Sequence, residues 1–140
     1  MMFRFIFIAA LFSIQEKLYA QVDEQSYIEK VKNLPLLDNK VTVKGYAFDK
    51  TIHISKDSLR KGFELKLQDG SYTVAGFILG YECEACDIWT ELIYGCSVTT
   101  KNFSHLRSLK KGETIGIDLM KVQKQGKAFK VPYFMIVITE

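Results

Sequence analysis

The 140-residue chain sets 19 lysines and arginines against 16 aspartates and glutamates, a formal net charge of +3, and is 48% hydrophobic and 13% aromatic. That balance excludes a nucleic-acid binder, which shows a basic stripe and a far more basic domain. The lysines are scattered, with Lys110 and Lys111 the one adjacent pair, and read as solvated surface. The apolar content excludes disorder as the default, and the length suits one domain around one core.

Met1 to Ala20 reads as a secretory signal peptide. Arg4 supplies the positive start, Phe5 to Ile14 the apolar run, and Ala20 a small residue where a peptidase cuts, so the mature chain is expected to begin at Gln21. The run falls short of the roughly 20 apolar residues of a membrane-spanning helix. No cysteine stands at the cut, so no lipid anchor is expected. The product is therefore expected in the periplasm or secreted, with no stable membrane span after cleavage.

Residues 21–40 read as a leader or short helix. Tyr27, Val31 and Leu34 share a helical face before Pro35 pushes its neighbour out of helical geometry. Residues 41–140 change to a period of two. Val41, Val43 and Gly45 alternate with Thr42, Lys44 and Tyr46, and Ile52 and Ile54 flank His53. Ser55 to Arg60 forms a single capped helical turn before Gly62, and Phe63, Leu65 and Leu67 alternate up to the turn at Asp69-Gly70. Tyr72 to Tyr81, apolar on both faces, predicts a strand in the middle of a sheet.

Ile88 to Tyr94 predicts the return strand of a hairpin. Thr99 or Thr100 begins a short helix with Phe103, Leu106 and Leu109 on one face, stopped by Gly112. Ile115, Ile117 and Leu119 alternate with Gly116, Asp118 and Met120. Gln125-Gly126 turns the chain, and Val131 to Thr139 closes it as an apolar strand. Six to eight closely spaced strands with one or two short helices predict an all-β, antiparallel β-sandwich.

Cys83, Cys86 and Cys96 concentrate the chemistry, with His105 farther on. In an oxidising compartment the first expectation is a disulfide. An extended 88–94 holds Cys96 roughly 25 Å from Cys86, far beyond bridging distance, and favours Cys83 with Cys86, leaving Cys96 as a free thiol. A loop there would reopen both pairings with Cys96. A zinc set of Cys83, Cys86, Cys96 and His105 has an acceptable ligand chemistry but an unfamiliar spacing. A redox C-x-x-C needs a thioredoxin-like setting that the pattern does not show.

No serine has a nucleophile-elbow context, Glu82, Glu84 and Asp87 form no calcium loop, and His53 reads as a surface residue. No catalytic residue, metal or cofactor is therefore assigned. Trp89 and Tyr94 are candidate partner contacts, set against the packing role that aromatics more often fill.

The order of pieces resembles the C-terminal domain of the gliding-motility protein GldM. The resemblance runs from about Ile52 to Ile138 and rests on Ile54-Ser55-Lys56 with Leu59, Tyr72-x-Val74-x-x-Phe77, the threonine-led stretch Thr99 to Leu109, Lys110 to Ile115, and Pro132 before the last strand. It implies an immunoglobulin-like β domain that serves as an interaction module of the type nine secretion and gliding machinery of Bacteroidota, with an envelope protein as partner. Two departures stand out: a cleavable signal precedes a single domain here, where a GldM protein has a retained membrane helix and several periplasmic domains, and the family pattern has no counterpart to Glu82 to Cys96. The inner-membrane motor role is not carried over.

Overall fold

Apolar residues at every second position give this chain its strands, and the places where that alternation slips decide how the strands assemble. The computed structural model describes residues 23–83 and 88–140. The expected signal peptide over 1–20 lies outside them. The described chain opens in helix, α1, over residues 23–31. Asp23 and Glu24 sit in its first turn, where the helix dipole favours negative charge. Val31 is buried, and the Tyr27 hydroxyl donates to the Leu119 carbonyl at 2.7 Å. The segment expected as leader or short helix is thus a helix pinned to the sheet.

Among the described residues nine strands follow: β1 (Val41–Val43), β2 (Thr51–Ser55), β3 (Phe63–Leu67), β4 (Thr73–Glu82), β5 (Trp89–Tyr94), β6 (Ser97–Val98), β7 (Thr114–Lys124), β8 (Lys127–Val131) and β9 (Phe134–Thr139). Helix α2 (Lys56–Arg60) lies between β2 and β3, its amino end capped by the Ser55 hydroxyl, which accepts from the Ser58 amide. The strands form two sheets, ordered β1-β3-β6 and β2-β9-β7-β4-β5, with β8 beside the second half of β7. The inner faces supply one core that includes Val43, Leu65, Phe77, Leu79, Ile93, Ile117 and Ile136. This is the expected all-β two-sheet architecture.

Four local expectations are corrected. The first strand ends at Val43 because Thr42, on the face opposite the core residues Val41 and Val43, is fully buried and donates its hydroxyl to the Ala47 carbonyl, so the chain bends at Gly45 instead of continuing. Residues 99–109 form no α-helix. Asn102 binds the Thr99 amide and the Ser97 carbonyl through its side chain, and these local bonds compete with helical pairing, leaving a 3-10 turn at Leu106–Ser108. Phe103, Leu106 and Leu109 are nonetheless all buried.

The alternation of β7 slips at Leu119, and Met120 and Val122 take the buried positions instead. Leu119 is left-handed at φ 47, and Phe77 alone opposes Leu119 and Met120, the signature of a β-bulge. The closing apolar run is two strands, because Pro132 has no amide hydrogen to offer a ladder and β8 ends at Val131. Among these nine strands pairing is antiparallel except between β2 and β9, which run parallel.

Candidate interaction surface

β5 is an edge strand. It pairs with β4 from Gly76 opposite Tyr94 to Tyr81 opposite Trp89, and among the described residues no strand pairs with its other edge. An unpaired edge presents a row of backbone donors and acceptors to any strand that arrives. The edge of β8 is treated differently: residues 35–37 run along it, with Leu37 N–H donating to the Lys130 carbonyl at 2.8 Å and Lys130 N–H to the Pro35 carbonyl at 3.0 Å.

Alternation along β5 sends Trp89, Glu91 and Ile93 to one face and Thr90, Leu92 and Tyr94 to the other. Ile93 is wholly buried, but the core thins toward Trp89, which is 43% exposed. The indole lies 4.8 Å from the His105 ring, edge-on, and its Nε1 donates to Glu91 Oε2 at 3.1 Å. His105 in turn lies 5.4 Å from the Tyr81 ring and 6.0 Å from Phe103, so four rings form a continuous stack from solvent into the core. His105, a candidate zinc ligand by sequence, packs among these rings.

Beneath the stack, the Tyr81 hydroxyl donates to Glu113 Oε1 at 2.6 Å, and the same oxygen accepts the Lys110 amide at 2.6 Å. Glu113 is only 6% exposed. Burial, reinforced by the Glu113 hydrogen bond, holds the Tyr81 hydroxyl well above the ordinary tyrosine range. Sequence reasoning missed Glu113, which stands in a lysine- and glycine-rich turn that reads as surface.

Tyr94, 69% exposed, stands at the other end of β5 and on the opposite face. Five residue steps separate it from Trp89, about 17 Å of extended chain. The structure therefore does not bring the two expected partner contacts together. It sets them at the ends of one open edge, with Ile88, 67% exposed, beside Trp89.

The cysteines are similarly divided. The expected pairing of Cys83 with Cys86 falls partly on 84–87, outside the described residues. Cys83 packs against the core at the end of β4. Cys96 is a free thiol at the opposite end of the extended β5, and its Sγ–H donates to Glu64 Oε1 at 3.5 Å. Burial first, then the Glu64 carboxylate, raises the thiol above its usual range, the reverse of what an activated nucleophile requires. Among the described residues no three His, Cys, Asp or Glu side chains converge to hold a metal ion, and the zinc set is split between His105 in the ring stack and Cys96 on Glu64. His53 is exposed on β2. No helix among the described residues is long and apolar enough to cross a membrane.

No protein-family model matches the chain, and no curated protein matches it in sequence.

Proposed function

We propose that this chain is an exported, non-enzymatic protein-interaction module of the bacterial cell envelope, which docks an envelope protein along the open edge of β5. The observation that carries the reading is that edge, flanked by Trp89 and Ile88 at one end and Tyr94 at the other. Strand addition supplies affinity through main-chain hydrogen bonds and specificity through side chains at alternate positions. The ring stack under Trp89 holds the indole in a fixed pose, which lowers the entropy lost on docking.

The resemblance to the GldM C-terminal domain supports a place beside the gliding and type nine secretion apparatus. Arg4, the apolar run from Phe5 to Ile14 and Ala20 support export to the periplasm or beyond through a cleaved signal. A Cys83–Cys86 bridge would close the β4–β5 hairpin and stiffen the Trp89 end of the edge.

A photo-crosslinking residue at Glu91, in the producing bacterium, tests the docking. A discrete adduct is expected there, absent when the same residue stands at Lys66 within the small sheet, and lost when Trp89 is replaced by alanine. No adduct at Glu91, or equal adducts at both positions, rejects the reading. The purified exported protein should titrate as one thiol when denatured without reductant and as three after reduction; three thiols before reduction reject the bridge.

A further inference from the structure

The outer face of the six-stranded sheet, turned away from the core, carries a trench. Gly80 on β4 stands directly opposite Gly116 on β7, and their row continues to Thr90 on β5 and Met135 on β9. Two facing positions without side chains open a depression of about 210 Å³. A Cβ at Gly80 would meet nothing within 4 Å, whereas at Gly116 it would fall 2.6 Å from the Tyr133 hydroxyl. The Tyr133 ring therefore lies over one glycine while the space above the other is open.

Ile78 and Ile88 add apolar walls, and two carboxylates complete the lining. Glu82 pairs with Thr114 in the row on one side of the glycines, and Asp118 pairs with Ile78 in the row on the other. The acids thus stand diagonally across the glycine pair, about 13 Å apart along the strands, so that a cation over the glycines lies between them. Among the described residues no lysine or arginine lines the trench, although the chain as a whole is net positive. Burial, then Asp118 and Glu82, raises the Tyr133 hydroxyl above its ordinary range, a sign that both carboxylates direct their field into this space.

We infer that this trench receives an arginine side chain from a partner polypeptide, its stem along Ile78 and Ile88, its guanidinium against the Tyr133 ring and between Glu82 and Asp118. A planar, weakly hydrated cation suits an aromatic face and two acids better than a compact ammonium does. Long basic side chains bury their methylenes against apolar walls while the head keeps polar partners. The site is on the sheet's face and stands or falls independently of strand addition at β5.

Amide NMR on the isotopically labelled, purified chain tests it, with acetyl-Gly-Arg-Gly-amide as probe and the citrulline peptide as its uncharged control. The Gly80 and Gly116 amides should shift and saturate with the arginine peptide and stay put with citrulline. Gly80→Val, which fills open space on a strand, should keep the melting temperature and abolish the shifts. Glu82→Gln should weaken binding by up to about fivefold, the scale of an exposed ion pair, and it serves as the test should the valine variant not fold. Absent shifts, equal shifts with citrulline, or binding that survives a folded Gly80→Val variant would overturn the inference.

Discussion

Gly112 takes the third position of the turn from Lys110 to Glu113, at φ +89, and its amide donates to the Ile138 carbonyl at 2.8 Å. That conformation was legible in Lys-Lys-Gly-Glu, although its setting was not: the glycine closes a β-turn, with Glu113 N–H donating to the Lys110 carbonyl, and does not stop a helix. A β-branched side chain there meets a left-handed backbone, a strain of about 1–2 kcal/mol. Gly112→Val should accordingly lower the melting temperature by roughly 4–10 °C, and an unchanged melting curve would refute the turn assignment. The neighbouring Glu113 shows where single-residue reading ends. Its burial follows from Tyr81, 32 positions earlier in the chain, and nothing local to the turn announces that partner.

At the scale of elements, alternation located β2 and β3 well, because each is short and keeps one phase from end to end, and β5 was legible as the return strand of a hairpin with β4. β7 defeats it. The pattern Ile115, Ile117, Leu119 places Leu119 inward, yet the bulge rotates the chain so that Met120 follows Ile117 into the core. Two interactions fix that bulge. Asp118 Oδ1 accepts the Leu119 amide at 2.8 Å, and the Leu119 carbonyl accepts Tyr27 from α1. The second bond joins residues 92 apart, so no window along the sequence contains the cause. The hairpin that follows was readable from Gln125-Gly126, both left-handed, at φ 51 and 75, as a two-residue primed turn demands. Glutamine is a poor choice for the first of these positions, and asparagine is among the best. Gln125→Asn should therefore stabilise the protein by roughly 0.5 kcal/mol, seen as a higher urea midpoint at unchanged slope. A lower midpoint would mean that the Gln125 side chain contributes something the backbone argument omits.

For the molecule as a whole, what the sequence could not disclose is the pairing of distant pieces. β2 and β9 meet in parallel, Ile52 beside Ile136, and α1 lies against a strand almost a hundred residues later. Tyrosines make several of these joints, and that gives the fold a distinctive response to alkali. Burial raises the hydroxyls of Tyr27, Tyr81 and Tyr133 above their ordinary value, with smaller contributions from Tyr94 at Tyr27, from Glu113 at Tyr81 and from Asp118 and Glu82 at Tyr133. Below about pH 10 these groups are protonated in both folded and unfolded chains, and their contribution is fully present. Above it the unfolded chain releases protons that the native state retains, so stability falls as pH rises toward the folded values, by up to about 1.4 kcal/mol per pH unit for the buried Tyr81 and by less for the half-buried Tyr27 and the exposed Tyr133, where solvent screens the effect. Urea unfolding between pH 8 and 11 should show that decline, and the absorbance of phenolate should show native tyrosines that ionise late. Tyr27→Phe isolates the contribution of this hydroxyl. Its loss of the Leu119 hydrogen bond lowers stability at neutral pH by about 1 kcal/mol, yet its decline above pH 10 should be shallower than that of the parent. Parallel curves for the two proteins would show that the Tyr27 hydroxyl is not held neutral by the docked helix, and with it would go the claim that α1 is an integral part of the sheet's outer face.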